Sequence, residues 1–131
     1  MLDVKGLIEL AKRASLNAYA PYSGYKVGCA VITSDGRAYT GVNVENSAYG
    51  STVCAERIAI GNAVTAGERN IAGIAVYNKD SMPVPCGACL QVISELAPDA
   101  RVIAASEEGH REYCLNDLLP HAFSEQDRLK R

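Results

Sequence analysis

The sequence predicts an α/β fold in which a mixed β-sheet carries helices on both faces. Three observations predict it. Apolar residues switch between helical and strand periods in the order α-β-β-α-β-α-β-β along the 131 residues. Asp35-Gly36 stands between two β-rich runs, a strong hairpin signal that makes one strand pair antiparallel. A composition of 48% apolar and 21% charged residues is that of a globular chain able to bury a core. One domain spanning residues 1–131 is expected, since the length is too short for two substantial cores.

The elements follow in order. Asp3 is placed to cap a first helix from Val4 to about Tyr19, with Leu7, Ile8, Leu10, Ala11, Ala14 and Leu16 as its apolar side and Pro21 as its stop. Val27 to Thr33 reads as a buried strand, Ser34 to Arg37 as the turn, and Ala38 to Val44 as the returning strand. A polar loop over 45–52 leads to a helix from Ala55 to Ala66, closed by Gly67-Glu68-Arg69-Asn70. Ile71 to Tyr77 is the third strand. Pro83 and Pro85 mark the loop before a helix from Ala88 to Leu96, which stops ahead of Pro98. Arg101 to Ala105 and Arg111 to Leu115 are the last two strands, and Asn116 to Leu119 is a short helix before a polar tail.

Charge and cysteine content narrow the function. A net charge of −2 with scattered basic residues lacks the polybasic patch that drives binding to a phosphate backbone. No apolar run approaches membrane-spanning length. Five cysteines is an odd count, and Met1-Leu2-Asp3-Val4-Lys5 passes straight into an amphipathic helix without a secretory leader. Reduced thiols in the cytoplasm are therefore expected. Cys29 and Cys114 fall within predicted strands and are expected to be buried; His110 and His121 are expected to be exposed.

Two stretches carry the chemistry: Cys54-Ala55-Glu56-Arg57 and Pro85-Cys86-Gly87-Ala88-Cys89. Each opens a predicted helix. Backbone N–H groups and the positive end of each helix dipole favour thiolate at such positions, so three cysteines can converge on one metal ion. A fourth tetrahedral position would remain open, with Glu56 near it. Taken singly, a C-x-x-C could be a redox pair or half of a structural zinc knuckle, and a glutamate at a helix start commonly faces solvent. Taken together they match the zinc nucleobase deaminases, whose H-x-E…P-C-x-x-C signature has a three-cysteine variant, here C-A-E…P-C-G-A-C.

With both motifs in place, the chain resembles the small homotetrameric cytidine deaminases. The resemblance extends over Ala20-Pro21-Tyr22-Ser23, Asn43-Val44-Glu45-Asn46, Leu118-Leu119-Pro120 and Ala122-Phe123, in the family's order. It implies a three-layer α-β-α sandwich around a five-stranded mixed sheet. It also implies a Zn2+ cofactor on Cys54, Cys86 and Cys89, with Glu56 as proton shuttle. Asn43 and Glu45 match the pair that binds the ribose 3′-hydroxyl; positions two apart on a strand share a side, so both can reach one hydroxyl. Ala55 also stands at a substrate-binding position. Ser47, alanine in many relatives, and Tyr49 match residues that meet the 5′ end of the sugar from a neighbouring subunit. Phe123 matches an aromatic laid against the pyrimidine by another subunit. Tyr25 stands where many relatives have phenylalanine, and Leu90 where a basic residue is common.

The implied reaction is hydrolytic deamination of free cytidine and deoxycytidine, a step of pyrimidine salvage. Zinc lowers the pKa of a bound water from ~15.7 to about 7. Three thiolates blunt that acidity, and Arg57 is the nearby counterweight, able to donate to cysteine sulfur; without a base at Leu90 its part grows. Three other readings compete. A fourth ligand from a histidine or a spare cysteine would make the site structural, the mark of a zinc-stabilised binding module. A base within a nucleic acid would need a basic groove with stacking aromatics. A cytosine-containing antibiotic or modified nucleoside would not call for the ribose pair at Asn43 and Glu45.

Overall fold

The computed structural model describes residues 3–125. Its elements run α1 (Val4–Ser15), β1 (Gly28–Thr33), β2 (Ala38–Val42), α2 (Ala55–Thr65), β3 (Ile71–Tyr77), α3 (Gly87–Leu96), β4 (Arg101–Ser106), β5 (Gly109–Cys114) and α4 (Leu115–Leu118). The five strands form one sheet in the order β2-β1-β3-β4-β5. β3 and β4 pair in parallel, joined through α3, and the other three pairs are antiparallel. The mixed sheet is thereby established, as is the hairpin over Ser34 to Arg37.

Helices cover both faces, and the strand period of two sorts the core between them. Cys29, Val31, Ile74 and Val76 face α2, α3 and α4, where they pack with Ala59, Ile60, Ile93 and Leu115. Ala30, Ala75, Ile103 and Ala105 face α1 and meet Leu7 and Ala11. Small residues dominate the α1 face, which lets that helix lie close. Gly28 shows how close: a Cβ there would sit 1.9 Å from the Ala11 carbonyl oxygen. Gly41 plays the same part across the sheet, since its Cβ would fall 2.3 Å from the Ala59 nitrogen in α2. That second contact seats the N-terminal half of α2 against the sheet. The edge strand β5 stays largely exposed and carries Arg111 and Glu112, charges that discourage edge-to-edge pairing.

Four expectations need correction. α1 ends at Ser15, well before Pro21, and leaves Leu16 74% exposed. The reason is tertiary. Tyr19 leaves the helical path to pair with Val44, its N–H donating to Asn43 O and its carbonyl accepting from Glu45 N. The same pairing, with Val44 bonded to Val53, cuts β2 short at Val42. Asp3 occupies the N-cap position of α1 without a side-chain hydrogen bond to it. Cys114 is exposed, because it closes an edge strand and begins α4. Cys29 is buried, and His110 and His121 are exposed, as expected.

Candidate active site

Cys54 and Cys86 are the N-cap residues of α2 and α3, and Cys89 lies one turn into α3. Both caps have extended backbone, and their carbonyls accept the first helical bonds, from Ile58 N at 3.2 Å and Leu90 N at 2.8 Å. Their side chains are thus held beside the free N–H groups of a first helical turn. The three Sγ atoms lie within 4.8 Å of one another, with Cys54 and Cys86 3.9 Å apart. A tetrahedral zinc with Zn–S bonds of ~2.3 Å holds its sulfurs ~3.8 Å apart. The donor set therefore fits zinc. Among the described residues, no fourth histidine, cysteine, aspartate or glutamate joins the group.

The electrostatics agree. A hydrogen bond from the Cys89 thiol, supported by Arg57 and Cys86, brings the Cys54 pKa down to about 5. Cys89 is pushed far up, first because its thiol donates to Cys54 and then by burial and the Glu56 charge. A divalent cation held among the three sulfurs would favour their thiolate forms. Arg57 Nη2 lies 3.8 Å from Cys54 Sγ, as expected of a counterweight. Its Nε is buried with no hydrogen-bond partner. Leu90 is buried in the α2–α3 core, where its side chain serves packing.

Glu56 is 5% exposed although it sits in the first turn of α2. Burial is the main cause that raises its pKa, the Cys54 charge adds to this, and Arg57 works against it. It lines a cavity of about 260 Å³ together with Cys54, Ala55 and Cys86. Val27, Val53, Val76, Pro83 and Val84 supply apolar wall, while Tyr25, Asn43, Glu45 and Thr52 lie along the remaining lining. Such a volume sits just below the usual range of ligand pockets, ~300–1,000 Å³, and is suited to a small molecule. The apolar wall was not foreseen from sequence; Val27 and Val76 read there only as strand residues.

Asn43 and Glu45 reach the cavity while fastening its rim. Asn43 Oδ1 accepts from Val27 N at 2.9 Å, and Nδ2 donates to Tyr25 O at 2.8 Å. Glu45 accepts from the N–H groups of Tyr22 and Ser23, at 3.0 and 3.1 Å, and from the Ser23 hydroxyl. Those bonds, the Ser23 hydroxyl first, hold its carboxyl below the ordinary range, so it is an ionised acceptor at neutral pH. A second hollow of about 250 Å³ shares Glu45 and Thr52 with the first and adds Tyr22, Asn46 and Tyr49. Tyr49 is 81% exposed, and Ser47 is exposed without lining either hollow. Phe123 lies elsewhere, in a surface depression with Ser94, Glu95 and Ala122, its carbonyl accepting from Gln91 Nε2.

A fold with two cysteine-capped helices, a thiolate cluster that fits zinc and a buried carboxylate beside it defines a metal-dependent hydrolytic enzyme. Residues 2–106 match the family described as the cytidine and deoxycytidylate deaminase zinc-binding region, and the chain belongs to that family. Zinc is its cofactor and hydrolytic deamination its class of reaction. The cytidine deaminase of Halalkalibacterium halodurans is 43% identical over 96% of this chain and 98% of its own. That of Sporosarcina psychrophila is 44% identical over 96% of this chain and 95% of its own. The crystal structure of cytidine deaminase from Burkholderia pseudomallei superposes with a TM-score of 0.89 at 45% identity, covering 93% of this chain and all (100%) of that one. The enzyme from Mycobacterium tuberculosis gives 0.84 at 36% identity, covering 95% and 99%. No described helix is long and apolar enough to cross a membrane.

Proposed function

We propose that the chain, acting as one catalytic domain, converts free cytidine and deoxycytidine to uridine and deoxyuridine with release of ammonia. The observation that carries this is the placement of Glu56, buried beside the cysteine cluster at one end of a cavity with Asn43 and Glu45 also in its lining. Among the described residues, no lysine or arginine lines either of the two hollows, which favours an uncharged nucleoside over a phosphorylated one.

Cys54, Cys86 and Cys89 would hold the zinc, which when bound supplies a water acidified to near-neutral pKa. Glu56 takes a proton from the attacking water and passes it to the ring nitrogen. It then carries a second proton to the departing amine, so that water and cytidine become uridine and ammonia. A carboxylate whose pKa is raised by burial is suited to both giving and taking protons near neutral pH. Arg57 steadies the Cys54 sulfur. Val27, Val53, Val76 and Pro83 keep bulk water from the ring, and Tyr25 and Ala55 complete the wall around the base. Asn43 and the ionised Glu45 receive a sugar hydroxyl. Because that contact falls on the 3′ position, ribose and deoxyribose are poorly separated.

A homotetramer with shared sites belongs to this reading. Tyr49 and Phe123 are exposed on their own chain, at 81% and 50%, and Phe123 stands apart from that chain's cavity. In the assembly Tyr49, Ser47 and Phe123 would serve a neighbour's pocket. The setting would be pyrimidine salvage in the cytoplasm. The test is ammonia release and the accompanying ultraviolet change with cytidine, deoxycytidine, cytosine, adenosine and a cytosine-containing antibiotic. Turnover of the first two alone is expected; an inert zinc-loaded protein, or turnover of the antibiotic alone, would overturn the proposal.

A further inference from the structure

The rim of the cavity is built from two loops, one carrying Tyr25 and Val27 and the other Pro83 and Val84. A buried amide ties them together. Asn78, 4% exposed at the end of β3, donates from Nδ2 to Lys26 O at 2.8 Å. Its Oδ1 accepts from the N–H groups of Asp80 and Ser81, at 2.9 and 3.0 Å. One side chain therefore places the backbone beside Tyr25 and the backbone of Ser81 at once. Ser81 returns to the first loop: its Oγ lies 2.9 Å from the hydroxyl of Tyr25.

The backbone of Tyr25 is already fixed. Its carbonyl accepts from Asn43 Nδ2 at 2.8 Å, and its N–H donates to Ser23 Oγ at 3.0 Å. What remains free is rotation of the side chain, and an aromatic ring held only at its base can choose among staggered wells. The bond to Ser81 removes that choice. It also fastens the second loop a few residues before Cys86, so the two rim loops are tied to each other.

We propose that Ser81, seated by Asn78, is a positioning residue of the nucleoside pocket, anchoring the ring of Tyr25 and fixing the separation of the two rim loops. This rests on the cavity being the nucleoside site. Ser81 is exposed, and its bond to Asn78 through the backbone N–H survives loss of the hydroxyl, so Ser81→Ala leaves folding intact. With zinc-loaded enzyme, Ser81→Ala should raise KM for cytidine by about three- to tenfold, the worth of one net hydrogen bond, with kcat within about twofold. Tyr25→Phe should do the same, the double variant should be no worse than either single one, and Ser81→Thr should restore the wild-type KM. Unchanged KM in Ser81→Ala, or effects that add in the double variant, would overturn the proposal. Amide hydrogen exchange over residues 79–85 without nucleoside gives a readout independent of turnover. Exchange should quicken in Ser81→Ala and Tyr25→Phe alike; equal protection in wild type and both variants sinks the anchor. A wild type that binds zinc yet ignores cytidine would fell the substrate assignment alone and leave the exchange result to decide about Ser81.

Discussion

The two ends of the cavity are made in different ways. At the metal end, Cys54, Glu56, Cys86 and Cys89 all belong to the caps and first turns of α2 and α3. Their relative positions follow from helix geometry over two or three residues, and the sheet beneath brings the two helix starts together. At the other end, Tyr25, Asn43 and Glu45 come from segments between elements, and the side chains of Asn43 and Glu45 hold the backbone of the loop that carries Tyr25. The lesson is a division of labour. The buried carboxylate sits on a rigid helix start, while the polar groups proposed to receive the substrate double as the mortar of a loop rim.

That contrast can be broken first at Glu56. Glu56→Gln should lower kcat/KM by about 10²- to 10⁴-fold, the usual worth of a general acid–base group, with zinc content by atomic absorption unchanged. Its stability should rise at neutral pH. Burial raises the folded-state pKa of Glu56 above its ordinary 4.5, so the ionised form costs folding stability at pH values above the raised pKa. That cost disappears once the pH falls below the unfolded value. Thermal melts of the glutamine variant should therefore run above wild type near neutral pH and converge on it in acid. For the same reason the acid limb of wild-type kcat/KM should lie above the ordinary carboxylate range and be missing from the variant; a limb near pH 4 or below would refute the placement.

A smaller effect is expected at Arg57, which touches sulfur and not substrate. Arg57→Ala should weaken zinc retention by about 10- to 100-fold in a chelator competition, the usual cost of losing a partner to a metal ligand. Wild-type zinc affinity in that variant would show that the helix termini suffice. At the other end, Asn43→Ala should raise KM and lower the melting temperature together, because it strips a partner from the partly buried Val27 N–H at a cost of about 1–3 kcal/mol. A KM effect without loss of stability would erase the distinction drawn between the two ends. Cys114→Ser, exposed and remote from the cluster, should stay within about 0.5 kcal/mol of wild type in a denaturant melt.

The metal end was legible before any coordinates because its information is local. A cysteine before a helix and a C-x-x-C at the start of another describe their own geometry, and the spacing to Glu56 needs only one turn of helix. Ile71 to Tyr77 was equally plain, an apolar run bounded by turn residues. The end of α1 was not. Local propensity runs on to Tyr19, but the pairing of Tyr19 with Val44 outweighs it, and that partner lies 25 residues away. Cys114 misled for a similar reason: strand membership was read correctly, yet whether a strand is central or at an edge is decided by sheet order. Asn78 carried no signal at all, being one polar residue after a strand until Lys26 and Ser81 are brought to it.

Sequence alone pointed to the three cysteines that fit zinc, the carboxylate beside them, the α/β class and the family. Each rests on residue types at short spacing, where backbone geometry leaves little freedom. Tertiary structure alone decided the order of strands, the burial of Glu56, the apolar wall of Val27, Val53 and Val76, and the bonds that join the two rim loops. Those depend on contacts between segments far apart in the chain, and such contacts are selected by the packing of the whole sheet and its helices rather than by any stretch within it.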